Sequence, residues 1–281
     1  MRINHNIPAM ITQGALCLLN REMTKSLEKL STGLRINRAS DDAACLGISE
    51  NLRTQVIGTA QAIRNAQDGI AAITIAEGSA NEISSILQRM RELAVQSAND
   101  TLTSLERSYT NLEFGALIEE IDRIANVTNY NKQKLISDTS NRFGNYLTGS
   151  ILWIDANSSV GIDSITIFIS TLTSAILSIN DNDIDTQQDA VSSISALDIA
   201  IDSVNRMRAD LGAYINRLDH TINNLTISNT NQQAAESLVR DVDFAKEVSY
   251  FTKLQILTES ATAMLAQANL VPELILDLLN F

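Results

Sequence analysis

Proline is nearly absent. Among 281 residues only Pro8 and Pro272 occur, so almost nothing along the chain forces a helix to break. Aromatic residues make up 4% of the sequence, too few for a compact core built on large rings. Cysteine is almost missing as well: Cys17 and Cys45 stand far apart, without a CxxC or a Cys/His cluster, which argues against a disulfide framework or a zinc site and for two small hydrophobes. The two histidines, His5 and His220, have no metal-ligand spacing such as HExxH. No nucleophile elbow, Walker loop or GxGxxG is found, and the adjacent acids Asp41 and Asp42 read as helix-start residues rather than as a catalytic pair. The acidic run "NDNDIDTQQD" lacks the glycine and glutamate of a calcium loop and reads as a solvated turn. No active site, metal site or cofactor is expected.

Cations are missing over a long stretch. Net charge is −12, and from Phe143 to Asn205 there is no Lys or Arg, while Asp155, Asp163, Asp181, Asp183, Asp185, Asp189, Asp198 and Asp202 contribute −8. Such a surface repels phosphate backbones and anionic lipid, so neither nucleic acid nor a membrane is an expected partner. Long apolar runs are also lacking: no stretch reaches the length of a membrane span, and "MRINHNIPAMITQGALCLLN" is interrupted by Asn, His, Thr and Gln before a signal-peptide core could form.

What the chain does have is helical periodicity. Leu16, Leu19, Met23, Leu27, Leu30 and Leu34 recur at steps of three and four, the spacing of a helix that lays one stripe on a partner. Gly33 and the polar "RASDD" interrupt it, with Ser40 and Asp41 as caps for a second helix that should start near Asp42. That helix runs long, through Leu52, Val56, Ile63, Ile70, Ile73, Glu77, Ile83, Leu87, Met90 and Ala94. A shorter one is expected from about Leu105 to Asn126.

Over about 131–180 the pattern turns to β, with Ile151 and Trp153, then Ile165, Ile167 and Ile169, at every second position amid Gly, Ser, Thr and Asn. Helical steps then return through Ile194, Leu197, Ile201, Val204, Arg208, Leu211, Ile215, Leu218, Ile222 and Leu225. So sustained a heptad needs an equally long partner, for which 42–98 is the candidate. Finally Phe244, Val248, Phe251, Leu254, Leu257, Ala261, Met264, Ala268 and Val271 form a return stripe that could pair with the first. Two helices alone leave most of their apolar surface wet, and contacts between copies that do not close into a ring generate helical filaments. The expected fold is mainly α, with long antiparallel helices and a small β-rich insert.

Several segments carry a family resemblance. "KSLEKLSTGLRINRASDDAACLGISENLRTQ" and "RNAQDGIAAITIAEGSANEISSILQRMRELAVQSAND" near the amino end, with "LGAYINRLDHTINNL", "AAESLVRDVDFAKEVSYFTKLQIL" and "AMLAQANLVPELILDLL" near the carboxy end, resemble the two terminal blocks of bacterial flagellins of the short type. The resemblance covers roughly 1–136 and 186–281. It implies a structural subunit of the flagellar filament used for swimming, with 1–40 and 240–281 as a paired-helix polymerisation domain and 41–239 as a rod carrying the β insert. It implies a homopolymer, export by the flagellar type III apparatus, an export chaperone, and cap and junction proteins as partners. A hook–filament junction protein and an amphipathic-helix binding module are the alternative readings.

Subunit contacts are expected along Leu16, Met23, Leu27, Leu30 and Leu34 against Phe251, Leu254, Leu257, Met264 and Leu265. In some flagellins the face matching "LQRMRELAVQSAN" is recognised by a vertebrate Toll-like receptor, which carries over to Arg89, Leu93 and Gln96, with Glu113 on the next helix. The chain also departs from the family pattern. Cys45 and Lys132 stand where glycines are usual, so a positive φ at either would carry strain. Pro8 falls in the first helical segment, Asp155 replaces a glycine, and Leu238 replaces a polar residue.

Overall fold

A computed structural model describes residues 5–137, 142–145, 148–157, 159 and 162–279, with only the backbone described for 271–279. The side chain of Val271 lies outside the described residues. Five helices account for most of the chain: α1 (Ile7–Thr32), α2 (Ala43–Ser97), α3 (Ser104–Val127), α4 (Gln187–Arg240) and α5 (Phe244–Leu279). Among the described residues between α3 and α4 lie four short strands, β1 (Asn129–Tyr130), β2 (Gln133–Lys134), β3 (Ser150–Trp153) and β4 (Ser164–Ile167), paired antiparallel as β1·β2 and β3·β4. Two compact units result, one of residues 1–54 with 231–281, the other of residues 55–230.

Helix ends follow from local chemistry. The Asn6 side chain accepts the Ala9 N–H at 3.2 Å, which places Pro8 in the first turn where its missing donor costs nothing. Gly33 closes α1 in the left-handed conformation, at φ 72°, with its N–H on the Lys29 carbonyl. Asp42, not Ser40 or Asp41, caps α2: its Oδ1 accepts the Cys45 N–H at 3.0 Å. Asp41 instead ties the preceding turn, its Oδ2 accepting the Asn37 and Arg38 N–H groups at 3.2 and 3.1 Å. Thr103 and Glu106 form a reciprocal capping box at α3, and Asp243 caps α5.

The 55–230 unit holds the large core. Ile73, Ile83, Leu87 and Met90 of α2, Phe114 and Ile121 of α3, and Leu197, Val204, Leu211 and Leu218 of α4 lie in one buried cluster. Within this unit α2 and α4 run antiparallel, joined by ion pairs Glu77–Arg208 at 2.9 Å and Arg91–Asp198 at 2.6 Å. Glu77 and Arg208 are the polar positions of their two seams, and pairing them across the interface fixes one register.

On the second hairpin the outcome differs from the alternation expected of β3. Ile165, Ile167 and Ile169 are buried as expected, but Ile151 is 56% exposed while Leu152 packs on the core. Register explains it: Leu152 lies opposite Ile165, whereas Ile151 lies opposite Thr166. Helix α2 passes beneath at Gly69, where any Cβ would collide with Leu152. The two family glycines that are missing have opposite consequences. Cys45 is helical and carries no positive φ, whereas Asn131 and Lys132 form the two-residue β1–β2 turn with φ of 48° and 66°, a type I′ geometry that strains lysine.

Candidate functional site

In the unit of residues 1–54 with 231–281, α1 and α5 pack antiparallel. The Asn6 side chain donates to the Ala268 carbonyl at 2.8 Å at one end. At the other, Val242 N–H reaches Gly33 O at 3.0 Å and Arg35 N–H reaches Arg240 O at 2.7 Å, about a bridge between Leu34 and Asp241. Phe244 sits against Gly33, and Arg240 pairs with Glu50 at 2.6 Å. These contacts fix the register of the pair, yet they bury little. Among the described residues of this unit only Ile36 and Leu254 are buried apolar side chains.

The stripe residues divide accordingly. Leu254 is 4% exposed, covered by its own chain; Leu16, Met23, Leu30, Leu34, Phe251 and Leu265 are half-buried. Leu27, Leu257 and Met264 point outward, at 55%, 41% and 58% exposure. Around them the sequence reading missed a second set of exposed apolar residues, Ile7, Met10, Ile11, Leu18, Ile256 and Leu270. A signal existed in the sequence: both helices carry apolar residues on more than one stripe, which a single partner helix cannot cover.

The Arg89 region lies in the other unit. Arg89 is brought together with Glu113 of α3 at 2.9 Å and with Glu92 at 3.0 Å, all exposed, and the two carboxylates, Glu92 first, hold its guanidinium pKa above the ordinary value. Gln96 is exposed on the same helix. Leu93 is not available on that surface: at 2% exposure it belongs to the core, because α2 is covered by both α3 and α4 there and its inward face is wide. Sequence reasoning also missed Asn111 and Asp122, which hold the segment returning from the insert. Asp122 accepts from Ser174 N–H and Oγ–H at 2.8 and 2.6 Å, and Asn111 accepts from Ile184 N–H at 3.1 Å.

The Cys45 thiol donates to the Asp42 carboxylate, which raises its pKa and disfavours the reactive thiolate, while the same contact lowers that of Asp42. Among the described residues no group of three or more His, Cys, Asp or Glu could hold a metal ion, and no helix is long and apolar enough to cross a membrane.

Two long helices that leave large apolar side chains such as Ile11, Leu27, Ile256 and Met264 exposed are the mark of a helical structural protein rather than of a site for chemistry. Comparison with known proteins narrows the class. Residues 3–141 match the bacterial flagellin N-terminal helical region and residues 194–279 the bacterial flagellin C-terminal helical region. A flagellin of Halalkalibacterium halodurans is 46% identical over 282 residues, covering 100% of both chains. The Treponema phagedenis flagellar filament 33 kDa core protein is 43% identical over 287 residues, also with 100% coverage of each. Among solved structures, Bacillus cereus flagellin is 31% identical with a TM-score of 0.50, covering 62% of this chain and 94% of that one. A protein of Vibrio parahaemolyticus described as flagellar hook-associated shares the fold at 16% identity and a TM-score of 0.57, covering 71% and 99%. The chain belongs to the bacterial flagellin family, a family of structural filament proteins and not of enzymes.

Proposed function

We propose that this chain is the repeating subunit of a bacterial flagellar filament, and that residues 1–40 and 240–281 are its polymerisation domain, with 41–239 as the rod. One observation carries the reading: α1 and α5 lie paired yet keep Leu27, Leu257 and Met264, with Ile7, Ile11, Leu18 and Ile256, in water. Burying the exposed half of each such side chain against another copy contributes roughly half of the 1.5–3 kcal/mol of full burial, about 1 kcal/mol, and that gain is realised only in the polymer, so assembly and ordering of the termini are coupled. Leu16, Met23, Leu30, Leu34, Phe251, Leu254 and Leu265 hold the helix pair in register, and the outward residues meet neighbouring copies.

Export by the flagellar type III apparatus, with a chaperone in the cytoplasm and cap and junction proteins at the filament ends, follows from the same reading. So does recognition of monomers by a vertebrate Toll-like receptor through Arg89, Gln96 and Glu113, with Leu93 shaping that face from beneath. Arg89→Ala should lower receptor signalling by monomers about tenfold, the scale of one central interface arginine, with an unchanged melting temperature; unaltered signalling rejects the contact.

The decisive experiment is salting-out and seeded growth of the full chain, followed by sedimentation and electron microscopy. Wild-type protein should give uniform tubes. Leu257→Asp should remain in the supernatant while keeping its helical content and melting temperature. Growth of that variant at the wild-type rate would reject the polymerisation surface.

A further inference from the structure

Helix α1 carries a glycine that its own chain does not explain. Gly14 is exposed in the middle of a 26-residue helix, and nothing lies within 4 Å of where its Cβ would be. In a helix interior glycine is disfavoured relative to alanine because it loses more backbone freedom on folding, and no turn, positive φ or intrachain crowding at this position compensates. Its surroundings point to what does. Ile7, Ile11, Gly14, Leu18 and Arg21 are spaced i, i+4, i+7, i+11 and i+14, one continuous helix face. The three aliphatic members are 49%, 66% and 59% exposed. Two large residues therefore flank a notch on each side of Gly14, open to solvent.

Helix α5 presents a face of the same period. Ile256, Ser260, Ala263, Gln267 and Leu270 are all exposed, with Ile256 and Leu270 at 61% and 46%, so this face too is large at its ends and small at its centre. The charges complement each other. Arg21 extends the α1 face and Glu259 borders the α5 face; both are exposed, and neither has an ion-pair partner among the described residues. Within one chain these two faces are not in use, since α1 and α5 already meet along the Leu254 side.

We propose that α1 receives helix α5 of a second copy, the two backbones making their closest approach at Gly14 of one chain and Ala263 of the other, with Arg21 paired to Glu259 across the contact. Small residues at a helix crossing let backbones approach and multiply dispersion contacts along both flanks, while the ion pair sets direction and register. The contact joins two different faces, so it propagates rather than closes. The inference rests on the polymerisation reading above and names where one copy meets the next.

Critical concentration in seeded growth of the full chain, with circular dichroism of the monomer, tests it by opposed signs. Gly14→Ala should keep or raise the monomer's helicity and melting temperature, because alanine favours helix, yet raise the critical concentration about tenfold. Gly14→Leu should stop growth. Arg21→Glu and Glu259→Arg should each weaken assembly, and together restore it to within about twofold of wild type. Growth of Gly14→Ala at the wild-type critical concentration, or a double reversal no better than its singles, overturns the proposal. So does unchanged growth of Gly14→Ala combined with stronger binding to phosphatidylcholine vesicles, which would assign the face to lipid. Because Leu257→Asp tests polymerisation separately, harmless Gly14 variants beside a dead Leu257→Asp would reject this contact alone.

Discussion

The two units of the chain are built from the same ingredients and bury them differently. In residues 55–230, Ile73, Ile83, Leu87, Phe114, Ile121 and Leu211 are fully covered by α2, α3, α4 and the strands. In residues 1–54 with 231–281, only Leu254 of α5 and Ile36, in the turn after α1, are buried apolar side chains among the described residues. A third and fourth packing element makes the difference: a helix touching two neighbours can hide two stripes, and a helix touching one cannot. One unit is therefore complete as a fold. The other leaves most of its apolar stripes bare.

Substitutions of matched chemistry can break that comparison. Leu87→Ala removes a fully buried side chain and should lower monomer stability by about 3 kcal/mol, visible as a large drop in melting temperature. Leu18→Ala, on the outward face of α1, should change monomer stability by less than about 0.5 kcal/mol while raising the critical concentration for polymerisation. Equal losses in the two monomers would mean the terminal helices are as well covered as the rod. A smaller effect probes strain within the well-packed unit. Lys132→Gly relieves a left-handed lysine and should stabilise the monomer by about 1 kcal/mol, read by denaturant unfolding; no gain would show that the turn relaxes around lysine at no cost.

The smallest effect concerns the latch between α1 and α2. Backbone N–H groups, Arg38 first, hold the Asp41 carboxyl below its ordinary 3.8, and the Cys45 side chain and N–H do the same for Asp42. Both folded pKa values are depressed, so their contribution is fully present above the ordinary value and lost as pH falls through the folded one. The protection factors of the Arg38 and Cys45 amides, exchange rates divided by the intrinsic rate at each pH, should be flat from pH 8 down to about 5 and fall below about 4. Loss of protection already near pH 6 would point to some other group.

Much of this was legible in the sequence because helical period and capping chemistry act over a few residues. The leucine steps from Leu16 to Leu34, the stop at Gly33 and the start of α3 near Leu105 are all read locally. Contacts between distant residues were not. That Asp42 rather than Asp41 caps α2 depends on the turn that Asp41 ties behind it. That Leu152 rather than Ile151 faces inward depends on pairing with Ile165 and on the passage of α2 at Gly69. Leu93 was placed outside by resemblance, and turns inward because two helices, not one, cover α2 at that level.

By itself the sequence determined the long helices, their polar breaks, the cation-free stretch and the family, since each is written in spacing or composition. Tertiary structure alone decided which of several apolar stripes is spent inside the molecule and which is left outside. Periodicity states how many faces a helix can bury, but only the number of neighbours packed against it says how many are buried. For α1 and α5 that number is one, and the outward leucines and isoleucines are what remain.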